Sequence, residues 1–365
     1  MALMWLSLFL MLSVALLIVG LAAGAADLRA ILEQERIEQD VPGVSAVVSH
    51  EGSVLFAGGA GVADVETGQA MSADTILYAG SLTKILTAVL ALDLVGDGSL
   101  SLDEIARNVA DGRHGITVTH LLTHTSGLVR EGDFGYWFNA DFPDNASLTA
   151  FLATTELRST PGEQVRYSNI GFAALGQMLA ISTGMPFHDA LRERVLQPLG
   201  MTSTGSPGPA GGVARGYTPR NRIIPSEDRP FAGIGRPVGD RFLREYHDAR
   251  AMTPAFGAYT SASDLGRLAR FLLGYGTGDL LPETLRKQML EPQSSGRSFG
   301  LGTERFEGRL LARHGGWFAA HKSHILIDPA SGVSVVVLAN SDSADPDATA
   351  RALLREALNS ELSAD

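Results

Sequence analysis

Runs with strand character occur near both ends of this chain, and the long stretch between them reads as helix and loop. Val44 to His50 and Ser53 to Ala60 are β-rich and flank Glu51-Gly52, a hairpin signal. Arg309 to His314, His321 to Asp328 and Gly332 to Asn340 repeat the pattern far downstream, the last two joined by Asp328-Pro329-Ala330-Ser331-Gly332. Helical periodicity flanks both groups: residues 27 to 40 set Leu28, Ile31, Leu32 and Ile37 against Glu33, Glu35 and Glu38, and residues 347 to 358 close the chain. Consecutive hairpins imply antiparallel pairing, so the economical solution joins the two ends in one sheet. The expected class is α+β: a mostly antiparallel sheet flanked by helices, with an inserted helical lobe. Residues 27 to 100 and 255 to 365 are assigned to the sheet lobe and residues 101 to 254 to the helical lobe. The stretch Gly205 to Asp240, rich in Gly, Pro and Arg, is expected as a long surface loop.

Met1 to Ala26 carries no charged side chain and is long enough to cross a bilayer. Small residues at Ala23 to Ala26 resemble a signal-peptidase site, so export is expected. No Lys or Arg precedes the apolar run, which also exceeds the roughly 7 to 15 residues of an ordinary signal core. Residues 1 to 26 are therefore expected as a signal peptide, leaving the protein periplasmic or extracellular, or as a membrane anchor holding it to the outer face of the inner membrane. The absence of cysteine excludes a thiol nucleophile, disulfides and a lipoprotein anchor. A net charge of -11 argues against nucleic acid as a partner.

Lysine is scarce: of 29 basic residues only Lys84, Lys287 and Lys322 are lysine. Arginine serves for surface charge but does not lose its proton, so a neutral amine requires lysine. Lys84 follows Ser81 by three residues where a turn enters an apolar helix, and residues so spaced share a helix face. Burial by Ile85, Leu86, Val89 and Leu90 would lower the Lys84 pKa and fit it to take the Ser81 proton. A second element is Tyr167-Ser168-Asn169, ahead of the helical run Ile170 to Ile181. A phenol beside an ammonium is expected to have a lowered pKa and to shuttle protons. The Asn169 amide would hold the lysine and a substrate carbonyl. A third is His314-Gly315-Gly316-Trp317, on or at the end of a strand, where glycines admit a ligand to the strand edge. The N–H groups of Ser81 and Trp317 are candidates for an oxyanion hole.

Ser-x-x-Lys, Tyr-x-Asn and His-x-Gly in this order resemble the serine hydrolase superfamily of class C β-lactamases, penicillin-binding DD-peptidases and related esterases. Leu121-Leu122-Thr123-His124-Thr125-Ser126-Gly127-Leu128, Ala258 to Leu265 and Asp328 to Val333 look similar to further segments of that family. The resemblance implies a β-lactamase/transpeptidase-like fold and an acyl-enzyme on Ser81. It further implies Lys84 and Tyr167 as general bases, Asn169 as an orienting group, and His314, Gly315, Gly316 and Trp317 at the substrate and oxyanion. No cofactor is implied, and the expected substrate is a small-molecule or peptide acyl compound. Where β-lactamases carry Lys-Thr-Gly, this chain has His314-Gly315-Gly316, which offers less charge and fewer donors to a carboxylate. Ester or D-amino-acid peptide hydrolysis is therefore expected over β-lactam hydrolysis. A binding or sensory member without turnover is opposed by the intact Ser81, Lys84 and Tyr167.

An α/β-hydrolase is set aside because the chain lacks a parallel βαβ rhythm. Two histidine pairs, His120/His124 and His321/His324, raise metal catalysis. No His-Glu-x-x-His occurs, however, and a three-residue step along a strand sends His321 and His324 to opposite faces. Local hydrogen bonding is expected of them instead, with no metal.

Overall fold

The computed structural model describes residues 25–362 except 113, 140, 207, 209–211, 222–233, 246–247, 277–278 and 294. The expected signal or anchor segment thus lies almost wholly outside the described residues. Helix α1 covers residues 25–38. Strands β1 (Gly43–His50), β2 (Ser53–Asp64), β3 (Gln69–Ala70) and β4 (Leu77–Tyr78) follow, then helix α2 (Thr83–Gly96). The middle contributes α3 (Val118–Leu122), α4 (Tyr136–Asn139), α5 (Asn145–Thr154), α6 (Asn169–Thr183) and α7 (Phe187–Leu191). Next come β5 (Gly216–Pro219), β6 (Ile234–Val238), β7 (Arg241–Arg244), α8 (Thr253–Phe256), β8 (Tyr259–Thr260), α9 (Ala262–Leu273) and α10 (Glu283–Leu290). The chain closes with β9 (Gly302–Phe306), β10 (Arg309–Phe318), β11 (His321–Asp328), β12 (Val333–Ala339) and α11 (Pro346–Leu362).

The two ends do meet. The principal sheet runs β3-β2-β1-β12-β11-β10-β9, each neighbouring pair antiparallel. Its central joint is β1 against β12, with Val44 opposite Ala339 and His50 opposite Val333. Alternation sends Val44, Ala46 and Val48 to the face covered by α1 and α11, where they pack with Leu28, Leu32, Val335, Val337, Leu353 and Leu354. Val47, Ile325, Val336 and Leu338 point the other way, into the larger core shared with α9 and the helical lobe. Sheet β1 and β12 are buried on both faces, which is why their sequences are nearly continuous in apolar and small residues.

Two observed boundaries bear on the site. Strand β10 continues past His314 to Phe318, so the third motif is wholly strand. Helix α2, which carries Lys84, is buried along almost its full length and packs against α6 and α8. The expectation of one long loop from Gly205 to Asp240 is corrected: β5, β7 and β6 form a small antiparallel sheet there. Tyr217, Val238 and Leu243 give it a core of its own, and Tyr217 N donates to Asn340 O at the end of the main sheet. Gly and Pro near such short strands obscured their pattern.

Candidate active site

Ser81 lies in a single 3-10 turn, Gly80–Leu82, that leads into α2. Gly80 has φ of +53°, and a Cβ there would lie 2.4 Å from Trp317 N, so only glycine permits this approach to β10. The preceding strand is held by β8, with Leu77 opposite Thr260 and Tyr78 opposite Tyr259, and Ala79 N donates to Ala258 O at 2.9 Å. The Ala258 to Leu265 segment thus anchors the nucleophile turn.

Lys84 is fully buried. Its Nζ lies 2.7 Å from Asn169 Oδ1, 2.7 Å from Ala255 O and 3.4 Å from Ser81 Oγ. Burial drives its pKa well below the ordinary lysine value, against the opposing pull of Glu131. A neutral amine has two N–H bonds and one lone pair. With the N–H bonds given to Asn169 and Ala255, the lone pair is left for the Ser81 hydroxyl proton.

Tyr167 and Asn169 are fixed by the start of α6. Ser168 caps that helix, accepting from Gly171 N at 2.8 Å and donating to Val129 O at 2.7 Å. Tyr167 Oη then donates to Ser81 Oγ at 2.8 Å. The expected lowering of the Tyr167 pKa is overturned: burial pushes it up to about 12, outweighing the Ser81 hydrogen bond and the charge of Arg130. The physical reason is that the neighbouring lysine is itself driven toward its neutral form, leaving little positive charge to favour phenolate.

The segment around His124 supports this corner. His124 Nδ1 accepts from Ser168 N at 3.1 Å, and its ring packs 4.4 Å from that of Tyr167 and 5.0 Å from that of Phe172. Burial holds its pKa well below the usual value, so the imidazole is neutral. His120 Nδ1 accepts from Thr117 N, His321 Nε2 lies 3.0 Å from Ala214 O, and His324 Nε2 lies 3.1 Å from Asp347 Oδ1. His120, His124 and His321 thus have the hydrogen-bond partners expected of them, whereas His324 approaches Asp347 as an ion-pair contact without a hydrogen bond at Nε2.

Strand β10 forms the opposite wall. Pairing with β9 ends at Arg313 opposite Gly302, so beyond it β10 has only β11 as a strand partner and its other edge faces the cleft. A Cβ on Gly316 would fall 2.2 Å from Ala79 O, 2.2 Å from Ser323 Oγ and 3.0 Å from Ser81 N. The two glycines, Gly80 and Gly316, therefore let the Ser81 turn and β10 approach backbone to backbone, close to the Ser81 and Trp317 amides. His314 Nδ1 donates to Gly315 O at 2.7 Å, and the surrounding protein, with Lys84 nearby, lowers its pKa. The Trp317 indole donates to Asp342 Oδ1 at 2.6 Å and its ring lies 5.4 Å from Trp137.

Between the walls is a cavity of about 740 Å³, lined by Ser81, Tyr167, Asn169 and His314 to Trp317. Lys84 lies behind this lining. Seven of the eight residues singled out from the sequence thus face one cavity, and the eighth, Lys84, reaches two of them, Ser81 and Asn169, through Nζ. Sequence reasoning missed Phe256 in the lining, and it missed Glu131. Glu131 accepts from Asn169 Nδ2 with both oxygens, at 2.8 and 2.9 Å. The Asn169 amide is thus engaged at both ends, by Lys84 and Glu131. One carboxylate among 40 acidic residues carries no spacing signal, although Glu131 does lie just after the Leu121 to Leu128 segment.

Comparison with known proteins agrees with this arrangement. Esterase EstB of Burkholderia gladioli is 31% identical over 338 residues, covering 85% of this chain and 82% of the relative. A D-amino acid amidase from Ochrobactrum anthropi SV3, solved with D-phenylalanine, superposes with a TM-score of 0.78 at 23% identity, covering 93% of this chain and 99% of the amidase. A class C β-lactamase from Rhodobacter sphaeroides gives 0.71 at 21% identity, covering 92% and 99%. The last two share the fold. The family model described as Beta-lactamase matches residues 28–359, the same span that builds the sheet, the inserted lobe and the cleft between them. The chain is a serine hydrolase and belongs to the Beta-lactamase family.

Proposed function

We propose that this serine hydrolase is an exported esterase that is acylated on Ser81 and prefers small, uncharged acyl esters. The observation that carries the reading is the pair of contacts on Ser81 Oγ: Tyr167 Oη donating at 2.8 Å and Lys84 Nζ at 3.4 Å with both amine protons engaged elsewhere. Ser81 Oγ attacks the ester carbonyl as its proton passes to Lys84, and the oxyanion receives the Ser81 and Trp317 amides. Collapse breaks the bond to the alkoxide, which takes the proton back through Tyr167. Water then attacks the acyl-enzyme by the same route in reverse, releasing the acid.

The substrate class follows from the cavity walls. Trp137, Phe256 and Trp317 offer aromatic surface, and at the third motif His314 is neutral and Gly315 and Gly316 bring no side-chain donor for a carboxylate. The two cations that also line the cavity, Arg130 and Lys322, are engaged with the Glu131 carboxylate and the Ala344 carbonyl. Similarity to an esterase along most of the chain supports the same choice. The test is a substrate panel of p-nitrophenyl acetate and butyrate, a chromogenic cephalosporin and a D-amino-acid anilide. It is run beside intact-mass labelling by a serine-reactive phosphonate. Turnover of the aryl esters above the other two, with labelling lost in Ser81→Ala, is the expected result. Faster cephalosporin or anilide turnover would overturn the ester preference, and equal labelling of Ser81→Ala would remove Ser81 as the nucleophile.

A further inference from the structure

We propose that Glu131 is a positioning residue: it fixes the Asn169 amide with its carbonyl oxygen toward Lys84, and so leaves the lysine lone pair directed at Ser81. The proposal rests on the reading of Lys84 as the base. It concerns a carboxylate that is not itself part of the cavity lining and makes no hydrogen bond to Ser81.

The geometry singles Glu131 out. Asn169 is 3% exposed at the first position of α6, and its Oδ1 is one of only two acceptors that engage the Lys84 amine apart from Ser81. An asparagine amide can turn over, exchanging oxygen for nitrogen with almost no change of shape. Turned over here, its NH2 would face the N–H bonds of Lys84. An acceptor would be lost, and the lysine would have to rotate its lone pair away from Ser81 to meet the new donor. What forbids the turn is the chemistry on the other side of the amide. A carboxylate is acceptor-only, so a turned Asn169 would present its carbonyl to two anionic oxygens and forfeit both bonds now at 2.8 and 2.9 Å. A glutamine at position 131 would lose that selectivity, because it can either accept from or donate to the amide.

Glu131 is itself held by independent elements. Tyr136 on α4 donates to Oε2, and Arg130 Nε donates to Oε1 at 2.9 Å. Burial and the adjacent carboxylate raise the Tyr136 pKa, so the phenol remains a donor. The backbone contributes too, for Arg130 O accepts from Asn169 N at 2.9 Å and from Ile170 N at 3.2 Å. The carboxylate thus sits at the N-terminus of a 15-residue helix, where negative charge is favoured.

The charge has a second consequence. The groups facing Lys84 are Arg130 and Glu131 from the loop after α3, His124 from the same segment, Tyr167 and Asn169 at the start of α6, and His314 on β10. Glu131 favours the ammonium and Arg130 opposes it. Neutralising Glu131 leaves the ammonium less stable, so the amine becomes free at lower pH and the acid limb of kcat/KM moves down. A merely structural role for Glu131 would not move that limb.

The experiment measures kcat, KM and the pH profile of kcat/KM on p-nitrophenyl acetate for the full chain, Glu131→Gln and Glu131→Asp, with melting temperatures. Glu131→Gln is expected to lose at least about tenfold in kcat with KM within about twofold, since misplacement of a catalytic group acts on the chemical step. Its acid limb should move down by about half a pH unit or more. Glu131→Asp keeps the charge but draws the acceptor back from Asn169, so its kcat falls while its acid limb stays in place. A Glu131→Gln enzyme with the wild-type limb and kcat within about twofold overturns the proposal. If that variant does not fold, Glu131→Asp decides, and wild-type kcat in it is the overturning result. Failure of the underlying reading shows separately, as a wild-type protein whose Ser81 is not labelled by phosphonate.

Discussion

On the helical side of the cleft, Lys84, Tyr167, Asn169 and Glu131 spend their hydrogen bonds on one another and on Ser81. On the strand side, His314 to Trp317 present a backbone edge, two glycines and an imidazole that bonds to its own neighbour's carbonyl. The first wall is a satisfied polar network buried in apolar surroundings, where each group's position and proton are set by the others. The second contributes backbone, glycine and ring surface to the cavity lining. Chemistry and substrate choice are therefore divided between the walls, and substitutions on the two sides should fail differently: on the helical side in kcat for every substrate, on the strand side in the ratio between substrates.

The largest effect should come from Lys84→Arg. It keeps a basic side chain but removes the free lone pair, since guanidinium stays protonated. A loss of about 10³- to 10⁴-fold in kcat is expected for every ester in the panel, with loss of phosphonate labelling. Because Lys84 is fully buried, Lys84→Met serves as the variant that fits the site without charge, and it should be equally inactive. Circular dichroism of both confirms that the fold persists. Substantial activity in either, with the fold intact, would break the comparison at its root.

Tyr167→Phe comes next. It deletes one donor to Ser81 Oγ while leaving Lys84 in place, and about 10²- to 10³-fold loss in kcat is expected across substrates. Burial holds the phenol at about 12, so in the wild type it stays protonated and contributes no basic limb to the rate profile below about pH 10. A basic limb that disappears in Tyr167→Phe would show that the phenolate, and not the phenol, is the working form.

These expectations differ in how far they were legible in the sequence. Ser81 and Lys84 could be paired because helix geometry converts a three-residue step into proximity, and three lysines in the whole chain made one of them conspicuous. The sheet was legible because hairpin turns and alternation are local signals, and β11 runs over the same residues that its pattern indicated. Glu131 and the Ala255 carbonyl were not legible. Their partners lie 38 and 171 residues away along the chain, and backbone carbonyls carry no residue identity at all. The direction of the Tyr167 pKa was missed for a related reason: the sequence shows that a phenol and an amine come together, but only packing shows which of them is buried into neutrality.

The smallest effect, and the sharpest test of the strand wall, is a gain. His314→Lys with Gly315→Thr, beside the existing Gly316, recreates the Lys-Thr-Gly pattern of the β-lactamases at the cleft edge. Space permits it. A Cβ on Gly315 would lie 3.3 Å from His324 Nδ1 and 3.8 Å from Ser323 O, so His324 has to yield only slightly. The new ammonium and hydroxyl would supply the carboxylate donors that His314 and Gly315 lack. Nothing in the Lys84, Tyr167 and Asn169 contacts is removed. The double variant should therefore gain about tenfold in kcat/KM on the cephalosporin while its ester turnover stays within about threefold. If ester turnover instead collapses in step with a lowered acid limb, the added charge has reached Lys84, and the two walls are electrostatically one site. If cephalosporin turnover does not rise and the ester is unaffected, carboxylate selection resides outside β10, and the division between the walls holds for chemistry alone.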